Sequence, residues 1–168
     1  MVKTTRTMLF VLLIGLFLIL DGCSKKTKPE EAPTEGAAPV SDSAINAELT
    51  DSDSGRALGL QTVHYAYDSS VLNSKSKAAL DENVKVLTSN PSLKVQIEGH
   101  CDEKGGIQYN IALGERRANS AKAYLADRGV NADRLSTISY GKEKPLDLGH
   151  DESAWSKNRR ANFRITEK

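Results

Sequence analysis

The sequence lacks an excess of charge of either sign and is poor in cysteine. Its 23 basic and 22 acidic residues give a formal net charge of +1, so no general electrostatic attraction draws the chain to nucleic acid or to anionic lipid. Its two cysteines are Cys23 and Cys101. Because Cys23 directly follows an apolar N-terminal run, Cys101 is the one thiol expected in the folded part, whose stability must come from a packed core and not from disulfides.

A hydrophobic run long enough to span a bilayer comfortably is also missing. The longest apolar run covers residues 8–20 and follows the positive charges of Lys3 and Arg6. A run of this length after a basic start is typical of a signal peptide. We therefore expect residues 1–22 to be removed, which leaves 21 basic and 21 acidic residues after the loss of two and one, respectively.

The residues at this junction indicate how the mature chain begins. Gly22-Cys23 resembles the lipobox of bacterial lipoproteins, in which the cysteine thiol is acylated and the chain is cut in front of it. Asp21 departs from that pattern. The alternatives are an uncleaved anchor or a cysteine that lies beside a secretion signal by chance. Lipoprotein sorting in Gram-negative bacteria, with Ser24 and not aspartate after the cysteine, implies the outer membrane. The expected modification is lipidation of Cys23.

A low-complexity segment separates this junction from the first patterned sequence. Residues 23–57 are rich in proline, alanine, serine, threonine and acids and contain no aromatic residue. Such a segment buries too little apolar surface to offset the entropy lost on ordering. We expect a lipidated N-terminus followed by a flexible, disordered tether.

Periodic sequence begins at residue 58. The alternating run LQTVHYAYD predicts a first strand with Val63, Tyr65 and Tyr67 on one face. Asn73 or Ser74 can cap the helix that follows, and the next proline ends it.

The rest of the chain continues the alternation of strands and helices. LKVQIEGH predicts a second strand, a helix is expected from about Asn110 to Asp127 with Gly129 just beyond its end, and LSTISYG and RRANFRIT predict two more strands. The order strand, helix, strand, helix, strand, strand predicts an α+β two-layer sandwich over residues 58–168.

One arginine conflicts with the periodicity of the second helix. At 100° per residue, Arg117 falls inside the apolar stripe that starts at Leu113, whereas Arg116 falls on the solvated side. An inward guanidinium needs a polar or anionic partner because it cannot lose its charge. That partner is either a structural carboxylate, Asp102 or Glu98, or the carboxylate of a ligand.

The stretch IEGHCDEKGGIQYN gathers residue types that also occur in catalytic and metal sites. His100 and Cys101 are adjacent on a strand and point to opposite faces, so they cannot form the pair that activates a thiol. With Asp102 they lack the paired spacing of zinc motifs. The double glycine lacks the ending of a phosphate-binding loop, and Trp155 with the basic residues after it is only a weak indication of nucleic-acid binding. We predict no enzyme activity, no metal and no cofactor.

Several ordered motifs resemble the OmpA-like peptidoglycan-binding domain. They are DEKGGIQYNIALGERRA, SYGKEKP and LGHDESAWSKNRRA, and the resemblance spans essentially the whole folded part. It implies a βαβαββ domain whose loops hold the stem peptide of peptidoglycan through meso-diaminopimelate. The side chain of that residue ends in an ammonium and a carboxylate on one carbon.

The resemblance also assigns roles to particular residues. It implies that Asp102 binds the ammonium, that Arg117 binds the carboxylate, and that Asp68 assists. The remaining implied ligand-binding residues are Glu103, Lys104, Gly105, Tyr109, Asn110 and Leu113. Cys101, Lys104 and Gly106 depart from the residues usual in the family, and none of them belongs to the acid and base pair.

Partners follow from the same resemblance. It implies an outer-membrane protein on the periplasmic face that binds peptidoglycan and a periplasmic Tol propeller protein, with a role in envelope integrity and cell division. A scaffold whose main ligand is the Tol propeller protein is the alternative function. No nucleic acid is expected as a partner.

Overall fold

The computed structural model describes residues 51–168. The expected signal peptide, the lipidation site Cys23 and most of the expected tether lie outside the described residues. Within the described part, no helix has both the length and the apolar character needed to cross a membrane.

Four strands form one mixed sheet, and helices lie between them in sequence. In chain order the elements are β1 (Val63–His64), α1 (Ser74–Ser89), β2 (Lys94–His100), α2 (Ile107–Asp127), a 3-10 turn (Ala132–Arg134), β3 (Leu135–Gly141), α3 (Glu152–Asn158) and β4 (Arg160–Glu167). The sheet order is β1-β4-β2-β3. Strand β2 runs parallel to β3 and antiparallel to β4, which also pairs antiparallel with β1.

The predicted α+β sandwich is confirmed, with two differences in its elements. The first strand is only two residues long. Tyr67, expected on the same face as Val63 and Tyr65, is 61% exposed, whereas those two are buried. The chain leaves the sheet there, and Asp68 has a positive φ of 48°. Helix α3 was not predicted, because its seven residues make too few turns for a hydrophobic period to be visible.

Helices α1 and α2 pack on one face of the sheet. Asn73 caps α1 by accepting a hydrogen bond from the amide of Ser76, as its side chain and position predicted. The core between the layers contains Leu80, Leu87, Ile97, Leu125 and Phe163, all completely buried.

A pair of glycines brings α2 unusually close to the central strand. A Cβ atom at Gly99 would lie 1.9 Å from the carbonyl oxygen of Gly114, and one at Gly114 would lie 2.3 Å from the Ser139 hydroxyl. Only glycine at both positions allows the two backbones to approach this closely. The contact fixes the height of α2 above β2, and therefore which α2 side chains reach the end of that strand.

The folded part extends beyond the predicted boundary at residue 58. The amide of Ser52 donates to the carbonyl of Phe163 at 2.9 Å, and Asp51 bridges to Arg164. Ala57 is fully buried in the core. Residues 51–57 therefore pack on the domain and are not part of a free tether, because main-chain hydrogen bonds to β4 supply order that composition alone does not reveal.

Candidate functional site

A pocket of about 230 Å³ opens where β1 and β2 end and α2 begins. Eight of the nine predicted ligand-binding residues line it, and Tyr67 is the only lining residue that was not predicted. The lining residues are Tyr67, Asp68, Asp102, Lys104, Gly105, Tyr109, Asn110, Leu113 and Arg117. Residues from three separate parts of the sequence thus share one cavity, and we call it the acid-base pocket.

Asp102 is the buried acid of this pocket, with only 4% of its surface exposed. One carboxylate oxygen accepts from a guanidinium nitrogen of Arg159 at 3.1 Å, and the other accepts from the amide of Lys104 at 3.2 Å. Arg159 also donates to the carbonyl of Tyr65 at 3.3 Å and forms an ion pair with Glu152. Arg159 therefore holds the Asp102 carboxylate in place and reduces the cost of burying its charge.

Arg117 is completely buried, as its place on the apolar stripe of α2 predicted, and Arg116 is exposed. The guanidinium of Arg117 donates to three main-chain carbonyls, those of Ala66 at 3.1 Å, Ser69 at 2.8 Å and His100 at 2.8 Å.

The structural carboxylate partner considered for Arg117, Asp102 or Glu98, is not found. Asp102 pairs with Arg159, and Glu98 pairs loosely with Arg164. Burial lowers the pKa of Arg117, but a guanidinium remains charged. Three of its five N–H groups are bound to carbonyls, and the guanidinium also lies near the Tyr65 ring, 5.4 Å from its centroid, and near the Cys101 thiol. No carboxylate among residues 51–168 forms an ion pair with it, so its positive charge is not neutralised there.

Asp68 and Tyr109 form the outer edge of the pocket. The Tyr109 hydroxyl donates to the Asp68 carboxylate, which links the turn after β1 to the first turn of α2. Hydrogen bonding to Asp68 raises the pKa of Tyr109. The contact therefore joins two of the segments that line the pocket.

The loop before α2 is shaped by a glycine and by an asparagine side chain. Gly105 has a φ of +88°, a conformation that favours glycine. The Asn110 amide donates to the carbonyls of Lys104 at 2.8 Å and Gly106 at 3.2 Å. Asn110 therefore supports the pocket wall, and Leu113 supplies an apolar part of that wall.

Lys104 lies between two aromatic rings at the mouth of the pocket. Its ammonium is 3.6 Å from the ring centroid of Trp155 and 5.2 Å from that of Tyr67. Contacts of this kind contribute about 0.5–1 kcal/mol at exposed sites. They direct a positive charge toward the entrance of the pocket.

Glu103 is the one predicted ligand-binding residue that does not line the pocket. Its carboxylate accepts from the indole N–H of Trp155 at 2.8 Å and lies 2.8 Å from Nδ1 of His150. Lys142 donates to the main-chain carbonyls of Glu103 at 3.3 Å and Gly105 at 2.8 Å. Glu103 therefore connects the pocket loop to the segment around α3. This role could not be predicted from the sequence, because His150 and Trp155 are far from Glu103 along the chain.

This tie predicts a pH dependence of the pocket loop. Hydrogen bonding to Glu103 raises the pKa of His150 from 6.5, and hydrogen bonding to His150 lowers the pKa of Glu103 from 4.5. The ion pair is therefore complete at pH values between the lowered pKa of Glu103 and the raised pKa of His150, and it is lost when the pH rises through the latter. Because Trp155 is the only tryptophan, its indole N–H resonance is expected to titrate with a midpoint above 6.5.

Two histidine variants provide the control for this titration. His150→Gln is expected to abolish the titration of the Trp155 resonance, and His64→Gln is expected to leave it unchanged. An unaltered midpoint in His150→Gln would show that another group controls the indole.

The thiol of Cys101 and the ring of His100 point in opposite directions, as predicted. Cys101 Sγ donates to the carbonyl of Asn110 at 3.3 Å on the α2 side, while the His100 ring lies 5.5 Å from that of Tyr140. Burial raises the pKa of Cys101, which disfavours the reactive thiolate. Among residues 51–168 no cluster of three His, Cys, Asp or Glu side chains could hold a metal ion.

Three residues of the site were not predicted as such. Arg159 positions Asp102, while Tyr67 and Trp155 flank Lys104. The paired arginines of the NRRA motif were a signal for Arg159, because two adjacent charged residues at the start of a buried strand require partners on both sides. No comparable pattern pointed to Tyr67, since its exposure results from the early end of β1.

Comparisons with known proteins agree with this architecture. The family model described as "OmpA family" matches residues 64–159. The peptidoglycan-associated lipoprotein of Haemophilus influenzae is 50% identical over 100 residues, which are 60% of this chain and 65% of that protein, slightly under two thirds of its length. The protein of the same name from Pseudomonas aeruginosa is 38% identical over 148 residues, covering 85% of this chain and 88% of that protein.

Solved structures show the same fold. The crystal structure of the peptidoglycan-associated lipoprotein from Burkholderia pseudomallei has a TM-score of 0.60 at 38% identity and covers 62% of this chain and 88% of that one. The C-terminal domain of Helicobacter pylori MotB has a TM-score of 0.61 over 66% of this chain and 87% of that one, and at 20% identity it shows the fold alone. The family match covers more than half of the chain and its relatives extend over most of it, so the resemblance inferred from the motifs is confirmed and the chain belongs to the OmpA family.

Proposed function

We propose that the chain is an outer-membrane lipoprotein that binds the diaminopimelate-containing stem peptide of peptidoglycan without forming a covalent bond. The observation that carries the proposal is the composition of the acid-base pocket. Asp102 and Arg117 line it together, and Arg117 has no carboxylate partner among residues 51–168. A pocket with one buried acid and one incompletely bound base suits a zwitterion.

The chemistry of diaminopimelate matches these two groups. Its terminal ammonium would join Asp102, which then has a cation on each side of its carboxylate. Its terminal carboxylate would accept the two N–H groups that Arg117 does not donate to carbonyls, and charge-assisted pairs of this kind are the stronger hydrogen bonds in proteins. Asp68 and Lys104 at the mouth would contact the rest of the peptide, and no step requires a bond to be made or broken.

The names of related proteins support the parts of the proposal that do not concern the pocket. Those at 50% and 38% identity carry the name peptidoglycan-associated lipoprotein. The proposal assigns this chain the same association with the wall, a lipid anchor at Cys23 and a place on the periplasmic face of the outer membrane. It would thereby tether the outer membrane to the cell wall and contribute to envelope integrity and cell division.

The lipid anchor leads to a localisation prediction. Cys23→Ser removes the only thiol next to the expected cleavage site, so the protein is expected to move from the outer-membrane fraction to the soluble periplasmic fraction. Metabolic labelling with palmitate and fractionation measure this change. Cys101→Ser is the matched control and should retain the label, whereas palmitate labelling of Cys23→Ser would contradict the anchor.

A protein-binding role is the second candidate, because exposed apolar side chains line the pocket or lie within four residues in sequence of residues that do. Tyr67, Val71, Ile107 and Tyr109 are all at least half exposed. Exposed apolar groups next to a polar pocket are typical of protein interfaces. A Tol propeller partner would bind this rim, and binding there would compete with the wall.

Comparison of two wall chemistries tests the proposed function. A stem peptide with lysine in place of diaminopimelate lacks the terminal carboxylate and would leave Arg117 without an anionic partner. We expect the protein to sediment with diaminopimelate-type sacculi and to bind lysine-type sacculi much more weakly, since an unpaired buried polar group costs about 1–3 kcal/mol or more when charged. Equal binding to both walls would reject the proposal and favour the protein-binding role.

A further inference from the structure

A second pocket lies on the face of the sheet that the two long helices do not cover. It has a volume of about 520 Å³. Side chains alternate along a strand, and Ile97 and Phe163 point into the core toward α1 and α2. The residues directly before and after each of them therefore point to the opposite face, away from both helices. The N-terminal segment 51–54 and the loop 144–146 form its rim, and we call it the strap-side pocket.

The acidic side chains of this pocket are mostly occupied. Asp53 accepts from the Thr62 hydroxyl at 2.8 Å with one oxygen and from Arg160 Nε at 2.7 Å with the other. One oxygen of Glu98 accepts from the Asn162 amide at 3.0 Å. One oxygen of Asp51 accepts from the amide of Ser54 at 2.8 Å. Each of the three carboxylates that line the pocket therefore already accepts a hydrogen bond within the protein.

The basic side chains, in contrast, retain donors. Arg164 makes one ion pair among residues 51–168, a 3.6 Å contact with Glu98 that is too long for a hydrogen bond. The ammonium of Lys144 lies 3.6 Å from the ring centroid of Tyr140. Lys144 forms no ion pair with a carboxylate of residues 51–168. Arg160 donates through Nε to Asp53 and through one terminal nitrogen to the Asn158 carbonyl, at 3.4 Å. Its second terminal nitrogen makes no bond in the described part of the chain.

His100 adds an unpaired polar group that is almost entirely buried. Only 2% of the residue is exposed, it lines the strap-side pocket, and neither ring nitrogen has a hydrogen-bond partner among residues 51–168. Burial lowers its pKa, so at neutral pH the ring offers one N–H and one acceptor. The nearest carboxylate is that of Glu98, whose oxygen lies 3.8 Å from Nε2, too far for a hydrogen bond. A group bound in the pocket could therefore supply the partner that such a buried ring requires.

We propose that the strap-side pocket binds the oxyanion group of a small organic acid, either a carboxylate or a phosphate. The hydrogen-bonding groups that remain without partners in this pocket are mainly donors. Arg160 and Arg164 suit a carboxylate or a phosphate because the planar guanidinium can bind two of its oxygens at once. His100 lines the pocket at depth, and Pro145 and Leu146 provide an apolar wall for the body of the ligand. This site does not depend on the acid-base pocket, with which it shares no lining residue.

Titration of the full chain in detergent with two simple anions tests the proposal. Sodium acetate and inorganic phosphate are added separately to isotopically labelled protein, with sodium chloride holding the ionic strength constant. We expect saturable shifts of the His100 ring and Arg164 Nε–H resonances. Tighter binding of acetate assigns the site to a carboxylate and tighter binding of phosphate assigns it to a phosphate.

Three variants make the test specific. Arg164→Gln is expected to weaken binding about tenfold, the effect of losing about 1.4 kcal/mol, and Lys144→Ala is expected to weaken it less. Arg128→Gln removes an exposed arginine that is paired with Asp81 outside this pocket, and it should bind as the wild type does. Absence of saturation with both anions, or equal affinity in Arg164→Gln and the wild type, would overturn the proposal.

Discussion

Asp102→Asn is expected to abolish sedimentation of the protein with diaminopimelate-type sacculi. The substitution keeps the shape of the side chain and removes the charge that would meet the ligand ammonium. Truncating one partner of a desolvated charge pair typically costs about 2–5 kcal/mol of binding free energy. Arg159 keeps its contacts with Glu152 and the Tyr65 carbonyl, so the domain should remain folded, which thermal unfolding verifies.

Arg117 requires a more careful substitution. Arg117→Ala would remove the ligand contact and also leave the carbonyls of Ala66, Ser69 and His100 without their donor. Of these, the bond to the His100 carbonyl is buried, and an unsatisfied buried carbonyl costs about 1–3 kcal/mol, so loss of binding could then reflect unfolding. Arg117→Lys keeps the charge but not the planar fork, and it is expected to lose most of the binding at a smaller cost in stability.

The neighbouring residue provides the control for both variants. Arg116 is adjacent to Arg117 but exposed, so Arg116→Ala should sediment with sacculi as the wild type does. Wild-type binding by a folded Asp102→Asn protein would show that the acid-base pocket is not the wall-binding site.

Gly99→Ala is expected to destabilise the domain more than any surface substitution. The new Cβ would lie 1.9 Å from the Gly114 carbonyl oxygen and 2.5 Å from its carbon, and both atoms are backbone. The only relief is to move α2 away from β2, which disrupts the core that both elements share. Overpacking typically costs about 1–3 kcal/mol and occasionally more. We expect the upper end of that range, measured as a lower midpoint of urea unfolding.

The same displacement should affect the acid-base pocket. Arg117 on α2 donates to the carbonyl of His100 at the end of β2, so a shift of the helix stretches this bond. Gly106→Ala is the matched control, because a Cβ there has no neighbour within 4 Å, and the loss of an N-cap glycine costs about 1 kcal/mol or less. An equal unfolding midpoint for Gly99→Ala and the wild type would contradict the proposed close contact.

Periodicity predicted most of the fold because long elements repeat their pattern. The helix beginning near Asn110 was predicted to end at Asp127, and α2 ends there, although it starts three residues earlier at Ile107. The predicted start was too late because the N-cap residue is Gly106, which makes no side-chain hydrogen bond to the helix. The sequence there therefore lacks the serine, threonine, aspartate or asparagine that usually marks an N-cap. Helix α3 was missed because a short helix has no readable period.

The candidate site was predictable as a set of residues but not as a set of contacts. The inward position of Arg117 follows from its angle on the helix, which depends only on the local sequence. The carbonyls that bind it come from residues 66, 69 and 100, and they converge only because α2 packs across the ends of two strands. The charge partner of Asp102 is 57 residues away at Arg159.

The sequence by itself determined the long helices, the three longer strands, the burial of Arg117 and the family to which the chain belongs. These properties follow from short-range periodicity and from motifs whose order is read directly along the chain. Tertiary structure alone decided that Arg159 and not Arg117 pairs with Asp102, that Glu103 binds His150 outside the pocket, and that residues 51–57 belong to the domain. Each of these contacts joins residues far apart in sequence, and the energy that selects one partner over another depends on distance and burial, which are set only when the helices and strands pack together.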